Sequence, residues 1–87
     1  MSSQLLMIED DHRLAQMVGE YLGQSGLQVT HMADGASGLA RLQAPEGGQL
    51  PDLVILDLML PDIDGLEVCR RIRALPGAAA QVPVLML

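Results

Sequence analysis

Apolar residues recur along this chain in two rhythms: short unbroken runs, and longer stretches in which every third or fourth position is apolar. Leu5-Leu6-Met7-Ile8 is a run too brief for a helix and is stopped by three acids, as a strand buried on both faces would be. From Asp11 to Ser25, Leu14, Met17, Val18, Tyr21 and Leu22 fall at helical spacing, with Asp11 placed to cap the start and Gly26 to close the end. The β-branched stretch 27–32 predicts a second strand, and Asp34-Gly35 then turns the chain into a short helix carrying Leu39 and Leu42 that ends before Ala44-Pro45. Residues 45–51 read as a Gly- and Pro-rich loop, and 52–57 as a third, central strand. Asp64-Gly65-Leu66-Glu67 has capping-box spacing, and Leu66, Val68, Cys69, Ile72 and Leu75 form the apolar stripe of a third helix closing near Pro76-Gly77. Residues 82–87 predict a fourth strand.

Strands alternating with helices predict an α/β fold, a doubly wound parallel sheet with helices on both faces, in one domain over residues 1–87. Alternation alone leaves the strand order open. In such sheets ligands sit outside the carboxyl ends of the strands, where the order reverses, and Glu9, Asp10 and Asp57 all stand at those ends. If the first and third strands are neighbours, as in the flavodoxin-like order 2-1-3-4-5, the three carboxylates converge.

Composition turns that convergence into a chemical question. The formal charge is −6, from eleven acids against five arginines, with no lysine in the chain. Direct binding of nucleic acid is therefore not expected. Cys69 is the lone cysteine, which leaves no disulfide or thiolate zinc site to assign. No apolar run approaches a membrane span, and the chain is expected to be soluble and cytoplasmic. Two carboxylates about 4 Å apart repel by ~4 kcal/mol at an effective dielectric near 20, so three together call for a proton or a cation. Oxygen donors without His or Cys suit Mg²⁺, which keeps waters and takes a phosphate oxygen beside one or two carboxylates. Asp57, on the central strand, is then the best-placed nucleophile toward a phosphoryl group, with Glu9 and Asp10 holding the metal.

"LLMIEDDHRLA" followed by "DLVILDLMLPDIDGLEVCRRIR" resembles the receiver domain of two-component response regulators, in particular the receivers of the winged-helix transcription-factor class. The likeness joins an acid pair after the first strand, an aspartate ending the third, a proline four residues later, and the Asp64-Gly65 that opens the third helix. It implies that Asp57 is the phosphoacceptor, that Glu9 and Asp10 bind Mg²⁺ with Asp57 and the backbone carbonyl of Met59, and that the donor is a phosphohistidine on a sensor histidine kinase. It also implies five strands and five helices, where four and three are predicted here. The family's hydroxyl residue would follow Leu87, and its lysine lies on a fifth strand. The expectation is accordingly a receiver truncated after its fourth strand in the order 2-1-3-4, without an output domain, impaired in switching and slow to be phosphorylated. It would self-associate through the exposed fourth strand and the uncovered sheet face.

Two other functions share these residues. One is an interaction or dimerisation module with the same fold and no phosphorylation. The other is an aspartate-nucleophile phosphatase, disfavoured because the general acid two residues after the nucleophile would be Met59; the chain is not expected to be an enzyme. A dinucleotide-binding half-domain would need a Gly-rich turn where the chain has Glu9-Asp10-Asp11-His12. Among the remaining polar residues, Asp11 and Asp64 are expected as helix caps and Asp62 as a solvated loop acid. Arg70, Arg71 and Arg73 are expected on a solvated face, His12 and His31 without a role, and Cys69 in packing.

Overall fold

The computed structural model describes residues 3–87. Strands β1 (Gln4–Ile8), β2 (Gln28–Met32), β3 (Leu53–Leu56) and β4 (Val84–Met86) form one parallel sheet in the order β2-β1-β3-β4. Helices α1 (His12–Gly23), α2 (Gly35–Gln43) and α3 (Gly65–Arg73) supply the crossovers. The parallel sheet is the one expected from the alternation, and its flavodoxin-like order is the one the resemblance implies, with 3-10 turns at Glu46–Gly48 and Gly77–Gln81 that periodicity did not announce.

Each interior strand is apolar on both faces because each face meets a helix layer. Leu6, Ile8, Val54 and Leu56 point toward Leu39 and Leu42 of α2 and Val68 and Ile72 of α3, forming the larger core cluster. The alternate positions Leu5, Met7 and Ile55 pack with Ala15 of α1, with Val18 and Leu22 beside them. Burying side chains of this kind contributes roughly 1.5–3 kcal/mol each, which is why the runs read as continuous rather than alternating.

Helical periodicity names stripes but not the one the sheet accepts. On α1 the sheet takes the stripe Ala15-Val18-Leu22, so Leu14, Met17 and Tyr21, spaced i, i+3, i+7 on a second stripe, stay exposed. On α3 the buried stripe is Gly65-Val68-Ile72, and Leu66, about 200° around the helix from Val68, is 63% exposed instead of joining it. The capping box is also incomplete: Asp64 accepts the Leu66 N–H at 2.7 Å, while Glu67 pairs with Arg70 and Arg71. Arg73 is not merely solvated, since Nη1 donates to the carbonyls of Ala80 (3.1 Å) and Val82 (2.7 Å) and pins the 3-10 turn to α3. Among the described residues, no helix is long and apolar enough to cross a membrane.

Candidate functional site

Strand register builds the site. Ile8 pairs with Leu56, so the next residues, Glu9 and Asp57, leave the carboxyl end of the sheet side by side. The ladder continues past both, with Asp57 N–H donating to the Ile8 carbonyl and Glu9 N–H to the Met32 carbonyl, each at 3.0 Å. Asp10 follows before α1 starts. Carboxylate oxygens of Glu9, Asp10 and Asp57 lie within 4.8 Å of one another, with Glu9 buried, Asp57 half-buried and Asp10 exposed. The all-oxygen donor set fits a hard divalent cation such as Mg²⁺.

The electrostatics follow from that crowding. Burial pushes the Glu9 carboxyl above its ordinary range, the Asp57 and Asp10 carboxylates push the same way, and the Asp11 N–H donating to Oε2 at 3.1 Å pulls back. Asp11 itself caps α1 through the Leu14 N–H, as expected. His31 does have a contact: its Nε2–H donates to the Glu9 carbonyl at 2.6 Å, and its ring packs edge-on against His12. Sequence spacing gave no sign of it, because the contact depends on β1 and β2 being paired.

After Asp57 the chain enters a loop without regular structure. Met59 is 83% exposed, and its N–H donates to Asp57 Oδ1 at 3.1 Å, holding the carboxylate against the loop backbone. Gly65 N–H closes the loop onto the Leu58 carbonyl at 3.0 Å. The position of Gly65 has no room for a side chain: a Cβ there would stand 2.5 Å from the Asp57 carbonyl oxygen and 2.7 Å from Leu58 Cα. Asp62 is not a free solvated acid. Its two oxygens accept the N–H groups of Gly35 (2.8 Å) and Ala36 (2.9 Å) at the start of α2, which holds its carboxyl below the usual range, the Ala36 bond contributing most.

Residues 5–87 match the family model described as "Response regulator receiver domain". Among curated proteins, the chain is 42% identical over 91 residues to the alkaline phosphatase synthesis transcriptional regulatory protein SphR of Synechococcus elongatus, covering 99% of this chain and 34% of that protein. It is 38% identical over 87 residues to the DNA-binding response regulator MtrA of Mycolicibacterium smegmatis, covering 100% of this chain and 35% of that one. The chain thus spans about a third of the length of these relatives. Among solved structures, a putative response regulator from Chloroflexus aurantiacus superposes with a TM-score of 0.86 at 34% identity, over 99% of this chain and 66% of that one.

Proposed function

The chain belongs to the response regulator receiver domain family, and on that premise we propose that it accepts a phosphoryl group on Asp57 from a phosphohistidine of a sensor histidine kinase. The observation that carries the reading is the meeting of Glu9, Asp10 and Asp57 at the ends of two adjacent strands. An Asp57 carboxylate oxygen attacks phosphorus, the P–N bond to the donor imidazole breaks, and the imidazole leaves with the bonding electron pair and takes up a proton. Mg²⁺, when bound, neutralises charge on the transferring group. Glu9, Asp10 and Asp57 would hold it through carboxylates and Met59 through its backbone carbonyl, while the Met59 N–H keeps Asp57 oriented. A phosphatase is the weaker reading, since the exposed thioether of Met59 offers no general acid beside Asp57.

The relatives are transcriptional regulators, and we place this domain in the same role: a cytoplasmic receiver that controls the output of a longer regulator. Self-association of the chain through β4 belongs to the same proposal, supported by Leu85 and Leu87 being 49% and 61% exposed. Intact mass after incubation with Mg²⁺ and a small phosphodonor tests the site. A gain of one phosphoryl group is expected in the chain and not in Asp57→Asn. A gain in both, or modification without Mg²⁺ at the same rate, would sink the assignment.

A further inference from the structure

We propose that Asp62 is a positioning residue: it straps the loop between β3 and α3 to the first turn of α2 and so fixes the segment that presents Asp57 and Met59. The inference rests on the reading of that segment as the site. One carboxylate spans two successive amides, Oδ1 taking the Gly35 N–H at 2.8 Å and Oδ2 the Ala36 N–H at 2.9 Å. The cap of α2 itself, Asp34, serves the next two, accepting the Ser37 N–H on its side chain at 2.7 Å and the Gly38 N–H on its carbonyl at 3.2 Å. The Gly38 bond is the first of the helix's own; the N–H groups of Gly35, Ala36 and Ser37, which a helix cannot satisfy internally, are therefore all paired, two of the three by a residue 26 or 27 positions away.

A cap would have been complete enough with Asp34 alone; the second carboxylate matters for where its own loop is held. Residues 57–64 contain no helix or strand, and Leu58 and Met59 are exposed, so burial does not fix their backbone. The Met59-to-Asp57 and Gly65-to-Leu58 bonds are internal to the loop and its junction with α3. The Leu58 N–H reaches the Leu87 carbonyl at 3.4 Å, and Leu60 and Ile63 pack against the larger core cluster. To these Asp62 adds a side-chain hydrogen-bonded tie to α2. Close approach is built in on the other side too. A Cβ on Gly35 would stand 2.9 Å from Val68 Cγ2, 3.2 Å from Ile63 Cβ and 3.3 Å from Asp62 Oδ1. The bonds are charge-assisted and meet the positive end of a helix, so the strap is of the strong kind. Partners that orient metal-binding groups from outside the donor set typically change metal affinity 10–100-fold when removed.

Asp62→Ala and Asp34→Ala, compared in the full chain, separate strap from cap, since each removes a side-chain acceptor at the start of α2. Amide exchange at Leu58, Met59 and Gly65 is expected to rise about tenfold more in Asp62→Ala than in Asp34→Ala, and the Mg²⁺ dissociation constant to rise about tenfold in Asp62→Ala alone. Asp62→Asn, which keeps one carbonyl acceptor, should recover part of both. Should Asp62→Ala fail to fold, Ala36→Pro deletes one donor in a first turn, where proline is best tolerated in a helix, and carries the same comparison. Equal loop exchange in the two alanine variants, with unchanged Mg²⁺ affinity in Asp62→Ala, overturns the proposal and leaves Asp62 a second cap. If the unsubstituted chain binds no Mg²⁺, the reading of the site fails instead, and the exchange rates still decide the strap.

Discussion

Glu9 is 7% exposed and carries a carboxylate where burial and two neighbouring acids oppose its charge. Such a group costs stability while ionised and without a counter-charge. In the presence of a chelator at neutral pH, Glu9→Gln is therefore expected to melt above the unsubstituted chain, by about 4–8 °C for each kcal/mol relieved in a domain of this size. The direction with pH follows from linkage. The folded state holds the Glu9 proton more tightly than the unfolded state, so the native chain loses stability as pH rises through the raised range of Glu9, and the advantage of Glu9→Gln shrinks toward acid. Added Mg²⁺ should reverse the order, stabilising the unsubstituted chain by mass action and the variant little. Calorimetric scans with and without Mg²⁺ check this; a lower melting temperature for Glu9→Gln in chelator would show that crowding is not what the fold contends with here.

Between elements, the decisive contact is the first turn of α3 against the acceptor loop. Gly→Ala in an unconstrained helix gains roughly 1 kcal/mol. At Gly65 the methyl would instead meet the Asp57 carbonyl and Leu58 Cα, which are backbone and do not swing aside. Overpacking of this kind costs about 1–3 kcal/mol, so Gly65→Ala is expected to lose stability on urea unfolding and to weaken Mg²⁺ binding by displacing Asp57. A stabilised variant would mean that α3 slides freely. This contact also marks the boundary of what was legible beforehand. The apolar runs placed β1 and β3 to within one residue at each end, because a strand buried on both faces has no polar interruption, while the β-branched stretch placed β2 and the half-buried run at 82–87 placed β4 to within two. The meeting of Glu9, Asp10 and Asp57 was legible only once β1 and β3 were taken as neighbours. Asp62 was not, because its partners lie 26 and 27 residues earlier and a carboxylate in a loop looks the same whether it faces water or a helix start. Leu66 and Tyr21 were misjudged because a helix with two apolar stripes does not say which one will be covered.

For the whole molecule, the balance lies between an apolar margin and a net negative charge. β4 lies at one edge of the four-stranded sheet, with Leu85 and Leu87 exposed, and Leu14, Val18, Ile55 and Leu87 line a small apolar cleft beside Asp57. A flat edge of apolar residues is a template for pairing with another chain, whereas a charge of −6 on 87 residues repels a second copy. Screening separates the two effects, because the Debye length falls from about 10 Å at 0.1 M salt to about 3 Å at 1 M. The chain is therefore expected to associate reversibly at micromolar concentration and more strongly at high salt, with sedimentation velocity giving the stoichiometry. Leu85→Glu, which adds a charge to the edge, should return it to a monomer without a large loss of fold, since Leu85 already has half its surface in water. Monomeric behaviour of the unsubstituted chain at every concentration and salt would sink pairing through β4, and association that survives Leu85→Glu would move the contact to the Leu14-Met17-Tyr21 stripe of α1.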